Sequence, residues 1–177
     1  MKRRAATTAL MALALFANGA LSQDLPQGWR MPTDKEITDP ARKKSPVAFA
    51  KATADFNGDG FPDEALLLKS TRFSGEGLWI RLSNGEGGFA WIKLAQIDWG
   101  KEYPNVDLAM GIHVLRPGTY PYGCFDDAKD CNFGPHTDRP KLKLRDPSLM
   151  YFKLESAASL FFWSRKYQKF MRVWLSD

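Results

Sequence analysis

The sequence predicts a mainly β protein of antiparallel sheets, and three observations carry that prediction. Apolar residues alternate with a period of two over several short runs. Turns rich in Gly, Asn and Asp separate those runs, and no stretch shows the 3.6-residue periodicity of a long amphipathic helix. This pattern fits a stand-alone β domain built as a sandwich or a partial propeller, with one short N-terminal helix.

Val47 to Ala54 alternates and leads into an acidic loop, and Ala65 to Leu68 leaves that loop as a short buried strand. Gly77–Leu82 and Phe89–Leu94 follow, and Asn84-Gly85 between them is a strong hairpin signal. Val106 to Leu115 reads as one strand. Residues 118–148, rich in Gly, Pro, Asp and Lys, are the least legible stretch, and so long a connection is uncommon in a compact domain unless it is functional. Three strands at meander spacing close the chain: Tyr151–Glu155, Ser159–Trp163 and Phe170–Leu175, with Arg165 to Gln168 as the second turn. Seven or eight strands are expected.

The N-terminus reads as a secretory signal peptide over residues 1–22. Lys2, Arg3 and Arg4 precede an apolar run from Ala5 to Ala17, and small residues follow at Gly19, Ala20 and Ser22. Cleavage is expected after Ser22, with Gly19 and Ala20 as alternatives. The run is too short to span a bilayer, so no integral membrane segment is expected after cleavage, and the location is periplasmic or secreted. Residues 23–46 are a polar, proline-bearing segment. In it, Thr33 as N-cap with Glu36 three residues later marks a short helix ended before Pro40, and Trp29 is its anchor. Residues 47–177 form the single β domain.

Removing the first 22 residues takes away three cations and no acidic side chain. The 25 Lys+Arg against 20 Asp+Glu of the whole chain therefore become 22 against 20. So even a balance, without a basic block interleaved with aromatics, gives no case for a nucleic-acid partner. The two cysteines, Cys124 and Cys131, read as a disulfide in an exported chain. Closing that eight-residue loop would stabilise the fold by about 2.5 kcal/mol. A lone Cys-x6-Cys pair argues against zinc.

The sharpest chemistry lies at Asp55-Phe56-Asn57-Gly58-Asp59-Gly60-Phe61-Pro62-Asp63. Side-chain oxygens fall at the first, third, fifth and ninth positions, and Gly60 permits a sharp turn at the sixth. Calcium takes six to eight hard oxygens at roughly 2.3–2.6 Å, which alternate residues of a tight loop can supply. The Phe61 carbonyl stands at the seventh position. An EF-hand is excluded because its twelfth position, a bidentate Glu, is Leu66 here.

The pattern D-x-N-x-D-G-x-x-D between two strands instead resembles the FG-GAP/VCBS repeat, and L-W-I-R-L-S-N-G-E-G-G-F over Leu78 to Phe89 is similar to the strand-turn-strand that follows the loop in such repeats. The resemblance covers about residues 47–94. It implies Ca2+ as cofactor, with Asp55, Asn57, Asp59, Phe61 (carbonyl) and Asp63 as ligands. A single copy of the motif cannot close a propeller ring.

Other constellations point to no chemistry as definite. His113 sits in an apolar run as a core or edge residue and His136 in a loop; neither has the setting of a triad or a zinc site, and no G-x-S-x-G elbow occurs. Asp126, Asp127 and Asp130 read as a solvated loop, with a second cation site as the sharper alternative. Trp79, Trp91, Phe161, Phe162, Trp163 and Trp174 alternate as core. Neighbours such as Phe161 and Phe162 face opposite sides of a strand, so an exposed member forming a binding patch is the sharper alternative to a core role. The functional expectation is a non-enzymatic, calcium-binding protein with a protein or glycan partner in the cell envelope. The alternative is a small calcium-dependent hydrolase acting on envelope polymers.

Overall fold

A computed structural model of the chain describes residues 25–43, 49–124, 140–153, 156 and 158–175. The signal-peptide segment, Cys131, His136, Asp126, Asp127 and Asp130 lie outside the described residues.

The chain is mainly β, built of antiparallel sheets. The first sheet contains β1 (Trp29–Arg30), β2 (Lys51–Ala54), β3 (Asp63–Ser70), β4 (Gly75–Ser83) and β5 (Phe89–Asp98). β3, β4 and β5 form a meander, and β1 and β2 lie end to end along the outer edge of β3. The second sheet runs β11 (Lys169–Leu175), β10 (Ala158–Ser164), β9 (Ser148–Lys153), β6 (Met110–Leu115). Between β6 and β9 the chain makes a separate hairpin from β7 (Gly118–Pro121) and β8 (Lys141–Leu144).

The strand alternation explains how these pieces stack. Ala65, Leu67, Leu78 and Ile80 of the first sheet share one buried cluster with Ile112, Leu149, Tyr151 and Phe161 of the second. The odd–even switch along β10 sends Leu160 and Phe162 the other way, into a second cluster with Leu142, Leu144, Tyr122 and Val173. The second sheet is therefore covered on both faces, by the first sheet and by the β7–β8 hairpin. For the Phe161–Phe162 pair this bears out the core reading and removes the alternative of an exposed member. Both are buried, at 3% and 7% exposure, because a third layer covers the face that a two-layer sandwich leaves open.

Turn chemistry follows the residue types. The five-residue connection 84–88 uses Gly85 and Gly87 at positive φ, while the Asn84 amide oxygen accepts from the backbone N–H of Glu86 and Gly88. Ser164 pairs with Lys169 across the turn Arg165 to Gln168, as expected. One edge of the first sheet is β5, whose register shifts at a bulge opposite Leu78/Trp79.

Two elements differ from expectation. The helix before Pro40 is reduced to a single 3-10 turn, Asp34–Glu36, followed by one α-helical turn, α1 (Pro40–Lys43). The strand expected from Val106 begins only at Met110, because residues 106–110 are held by charged side chains. Lys69 donates to the Val106 carbonyl at 2.6 Å, Arg42 to the carbonyls of Leu108 and Met110, and Glu76 accepts from the N–H groups of Ala109 and Met110 at 2.8 and 2.9 Å.

The 3-10 turn makes a measurable contribution. The Arg30 guanidinium, bonded to the two Glu36 oxygens at 2.7 and 2.6 Å, holds the Glu36 carboxyl down at about 2, helped by the Thr33 N–H. A depressed folded pKa contributes stability that is present above the ordinary value of 4.5 and is lost as pH falls toward 2. Arg30 is 42% exposed, so solvent screening limits the gain to about 1 kcal/mol. Urea midpoints of Glu36→Gln should lose that part of the acid dependence between pH 4.5 and 2, relative to the unaltered chain.

Candidate metal loop

The acidic loop joins β2 to β3, and it is anchored before it is charged. Phe56, its second residue, is fully buried in the core shared by the two sheets. Asp63, its last, is also fully buried. One Asp63 oxygen accepts the Phe56 N–H at 2.9 Å and the other accepts the Ser83 N–H at 3.0 Å, so this carboxylate ties both ends of the loop to the end of β4. Burial pushes the Asp63 carboxyl up. The two N–H groups oppose that, and the negative charges of Asp59 and Asp55 add to it.

Between these anchors the loop closes on its own donors. Asp55 accepts from the N–H of Gly58 at 2.8 Å and of Asp59 at 3.1 Å through one oxygen, and from Gly60 at 2.9 Å through the other. Asp59 accepts from Phe61 N–H at 2.9 Å and from the Asn57 amide at 2.8 Å, and the Asn57 oxygen takes the Asp59 N–H at 3.1 Å. Gly58 and Gly60 have φ of +73° and +93°, the left-handed region that lets successive N–H groups turn inward. The exposed Phe61 ring lies against Gly85 of the β4–β5 turn, where a Cβ would collide with it.

Asp55, Asn57, Asp59, Phe61 and Asp63 therefore occupy one compact turn. Among the described residues, however, no group of three or more His, Cys, Asp or Glu side chains is gathered as a ready-made metal shell. The donor chemistry still fits a cation. An ionised carboxylate offers about four lone-pair sites. Asp55 commits three of them, while Asp59 and Asp63 each commit two. Each retains an acceptor, and no ion pair to a described cation neutralises any of the three.

Two neighbours of the loop carried no signal in the sequence. The Ser83 N–H became visible as a partner of Asp63 only once the β3–β4 register was known. The Asp146–Arg165 ion pair, 2.9 Å at its closest, lies against Gly58, where any Cβ would collide with both side chains. This places the second sheet's turns directly beside the loop.

The other candidates resolve separately. His113 is an exposed edge residue on β6, with its ring edge-on to Phe49 at 6.3 Å. Trp174 is 36% exposed and Phe89 39%, whereas Trp79 and Trp91 are half-buried. The disulfide expected between Cys124 and Cys131 involves Cys131, which lies outside the described residues. No helix among the described residues is long and apolar enough to cross a membrane.

The fold and site define an antiparallel β domain with one internally braced acidic turn. Comparison with protein-family models, curated proteins and solved structures found no match.

Proposed function

We propose that this chain is an exported β domain whose acidic loop binds Ca2+ as a structural brace, and that it works by binding a protein or glycan partner in the cell envelope. One observation carries the metal reading: a fully buried Asp63 carboxylate feels the charges of Asp55 and Asp59, and among the described residues no cation is bonded to any of the three. A divalent ion supplies that missing charge. Asp55, Asn57, Asp59, Asp63 and the Phe61 carbonyl would hold it, with water completing the shell. The basic start and apolar run of residues 1–22 support export, and the Cys124–Cys131 bond belongs to the same proposal.

The hydrolase alternative has less support. The groove that combines two carboxylates, Glu36 and Asp107, contains no tryptophan, and Glu36 is committed to Arg30. A binding role needs only exposed recognition surface.

Extracellular calcium modules bind with Kd of roughly 10⁻⁴–10⁻³ M. At tenfold excess the linkage gain is about 1.4 kcal/mol, which raises Tm by roughly 3–5 °C for a domain of this size. Calorimetry in CaCl2 against EGTA reads that increment directly. Asp55→Ala and the milder Asp59→Asn should each abolish the increment, whatever they do to the baseline. An unaltered protein whose Tm ignores 10 mM calcium would overturn the metal reading.

A further inference from the structure

A second surface has a chemistry that the acidic loop does not use. A groove of about 200 Å³ opens between the β8–β9 turn and the end of β10, and its polar lining includes Lys143, Arg145, Asp146 and Arg165. The alternation of β8 fixes the first of these. Leu142 and Leu144 enter the second core cluster, so Lys141 and Lys143 point outward. Segments 141–148 and 164–170 together hold six Lys and Arg against one Asp. Positive charge is concentrated here in a chain that is otherwise nearly balanced.

Committed and uncommitted cations sit side by side. Arg165 uses Nε and Nη2 on Asp146, at 2.9 to 3.2 Å, which fixes the guanidinium plane and leaves Nη1 for another acceptor. Lys143 and Arg145 make no ion pair with any described carboxylate. Trp163 forms an apolar wall of the groove and is held edge-on by Phe170 at 5.2 Å. Cations around a small hollow suit an oxyanion. An indole, whose ring face is electron-rich, suits the C–H face of a sugar.

We propose that this groove binds a sulfated or phosphorylated sugar unit of an envelope polysaccharide, with Lys143, Arg145 and Arg165 on the oxyanion and Trp163 against the ring. The proposal rests on the binding reading above and names its ligand class. The groove's size argues against a nucleic-acid track, which spans about 4–16 nucleotides on a single-strand-binding module. This hollow admits one ring and one charged group.

Isothermal titration of the whole secreted chain with a heparin-derived tetrasaccharide, in EGTA and again in calcium, tests the proposal. Binding is expected to weaken about tenfold or more in the Lys143→Ala/Arg145→Ala double variant, whose Tm should stay unchanged because both residues are exposed. The desulfated tetrasaccharide should bind at least tenfold more weakly. Inorganic phosphate that competes as well as the tetrasaccharide would show a bare oxyanion site and overturn the sugar assignment. Single-stranded DNA of equal charge binding equally well would overturn it as non-specific attraction, and so would indifference to the double variant. The calcium increment in Tm is read on the same samples. A failed titration with an intact calcium response sinks this proposal alone.

Discussion

Replacing Glu76 by alanine is expected to lower the unfolding free energy by about 3–5 kcal/mol. Glu76 is fully buried on β4, and its carboxylate accepts the N–H groups of Ala109 and Met110 while facing the charges of Lys69 and Arg42. Lys69 and Arg42 are themselves 5% and 2% exposed. Removing this anion leaves two N–H groups unpaired and takes a countercharge from two buried cations, of which Arg42 still feels Asp39 and Asp107, and that costs far more than an ion pair contributes when intact. Urea unfolding of the variant measures the loss, and a change below 1 kcal/mol would show that the cluster is not held by this carboxylate. The pH dependence has a definite sign. Burial pushes the Glu76 carboxyl above its ordinary 4.5, against the pull of its N–H donors, Lys69 and Arg42. A raised folded pKa means that stability declines as pH rises from 4.5 through the folded value. Glu76→Gln should remove that slope. The buried Tyr151 hydroxyl, pushed up by burial and by Glu76, adds no slope near neutrality.

Phe56→Ala should cost a similar 3–5 kcal/mol through lost burial and the cavity left behind. Phe56 belongs to a surface turn in sequence, yet it is fully buried between the sheets. Its neighbour Asp55 starts the loop, and its own N–H binds Asp63, so losing the ring also loosens the acidic turn. The calcium increment in Tm should therefore shrink together with baseline stability. Phe56→Leu restores most of the volume and is expected to cost less than about 1.5 kcal/mol. Thermal melts of both variants with and without calcium separate a packing loss from an ion-binding loss. A full calcium increment in Phe56→Ala would mean that the anchor and the loop are independent.

Much of the architecture was legible where side chains report it directly. Short apolar runs bounded by turn residues placed the strands around Ala65, Trp79 and Trp91 and the three at the C-terminal end, and Asn84-Gly85 located the central hairpin. The β7–β8 hairpin was missed for a physical reason. Its strands are four residues each and lie nineteen residues apart, so no local turn signal joins them. The alternation Lys141-Leu142-Lys143-Leu144 was the available clue, but surrounding Pro, Gly and Asp masked it. That omission also left an exposed Phe162 as an open alternative, since a residue's face is readable from sequence while the layer covering that face is not.

The acidic loop was found from spacing alone, but spacing could not say what its oxygens do at rest. Asp63 ties backbone at both ends of the turn, and Asp55 organises three consecutive N–H groups. The Glu76–Lys69–Arg42 cluster had no sequence signature, because Lys69 meets Glu76 only across the β3–β4 ladder and Arg42 arrives from α1, thirty-four residues before Glu76. Charged residues flanked by glycine, as Glu76 is, give no hint of burial.

The two sheets differ in how far the chain must travel to make them. β3, β4 and β5 pair through short turns, so that meander closes loops of only a few residues. β6 pairs with β9 across the whole β7–β8 excursion, from Leu115 to Ser148, and loop-closure entropy rises with that separation. Local contacts form quickly and distant ones slowly. In an emerging polypeptide the half bearing the acidic turn closes before its partner sheet can register, and on the proposed calcium reading an ion captured there would steady the template on which the remaining strands assemble.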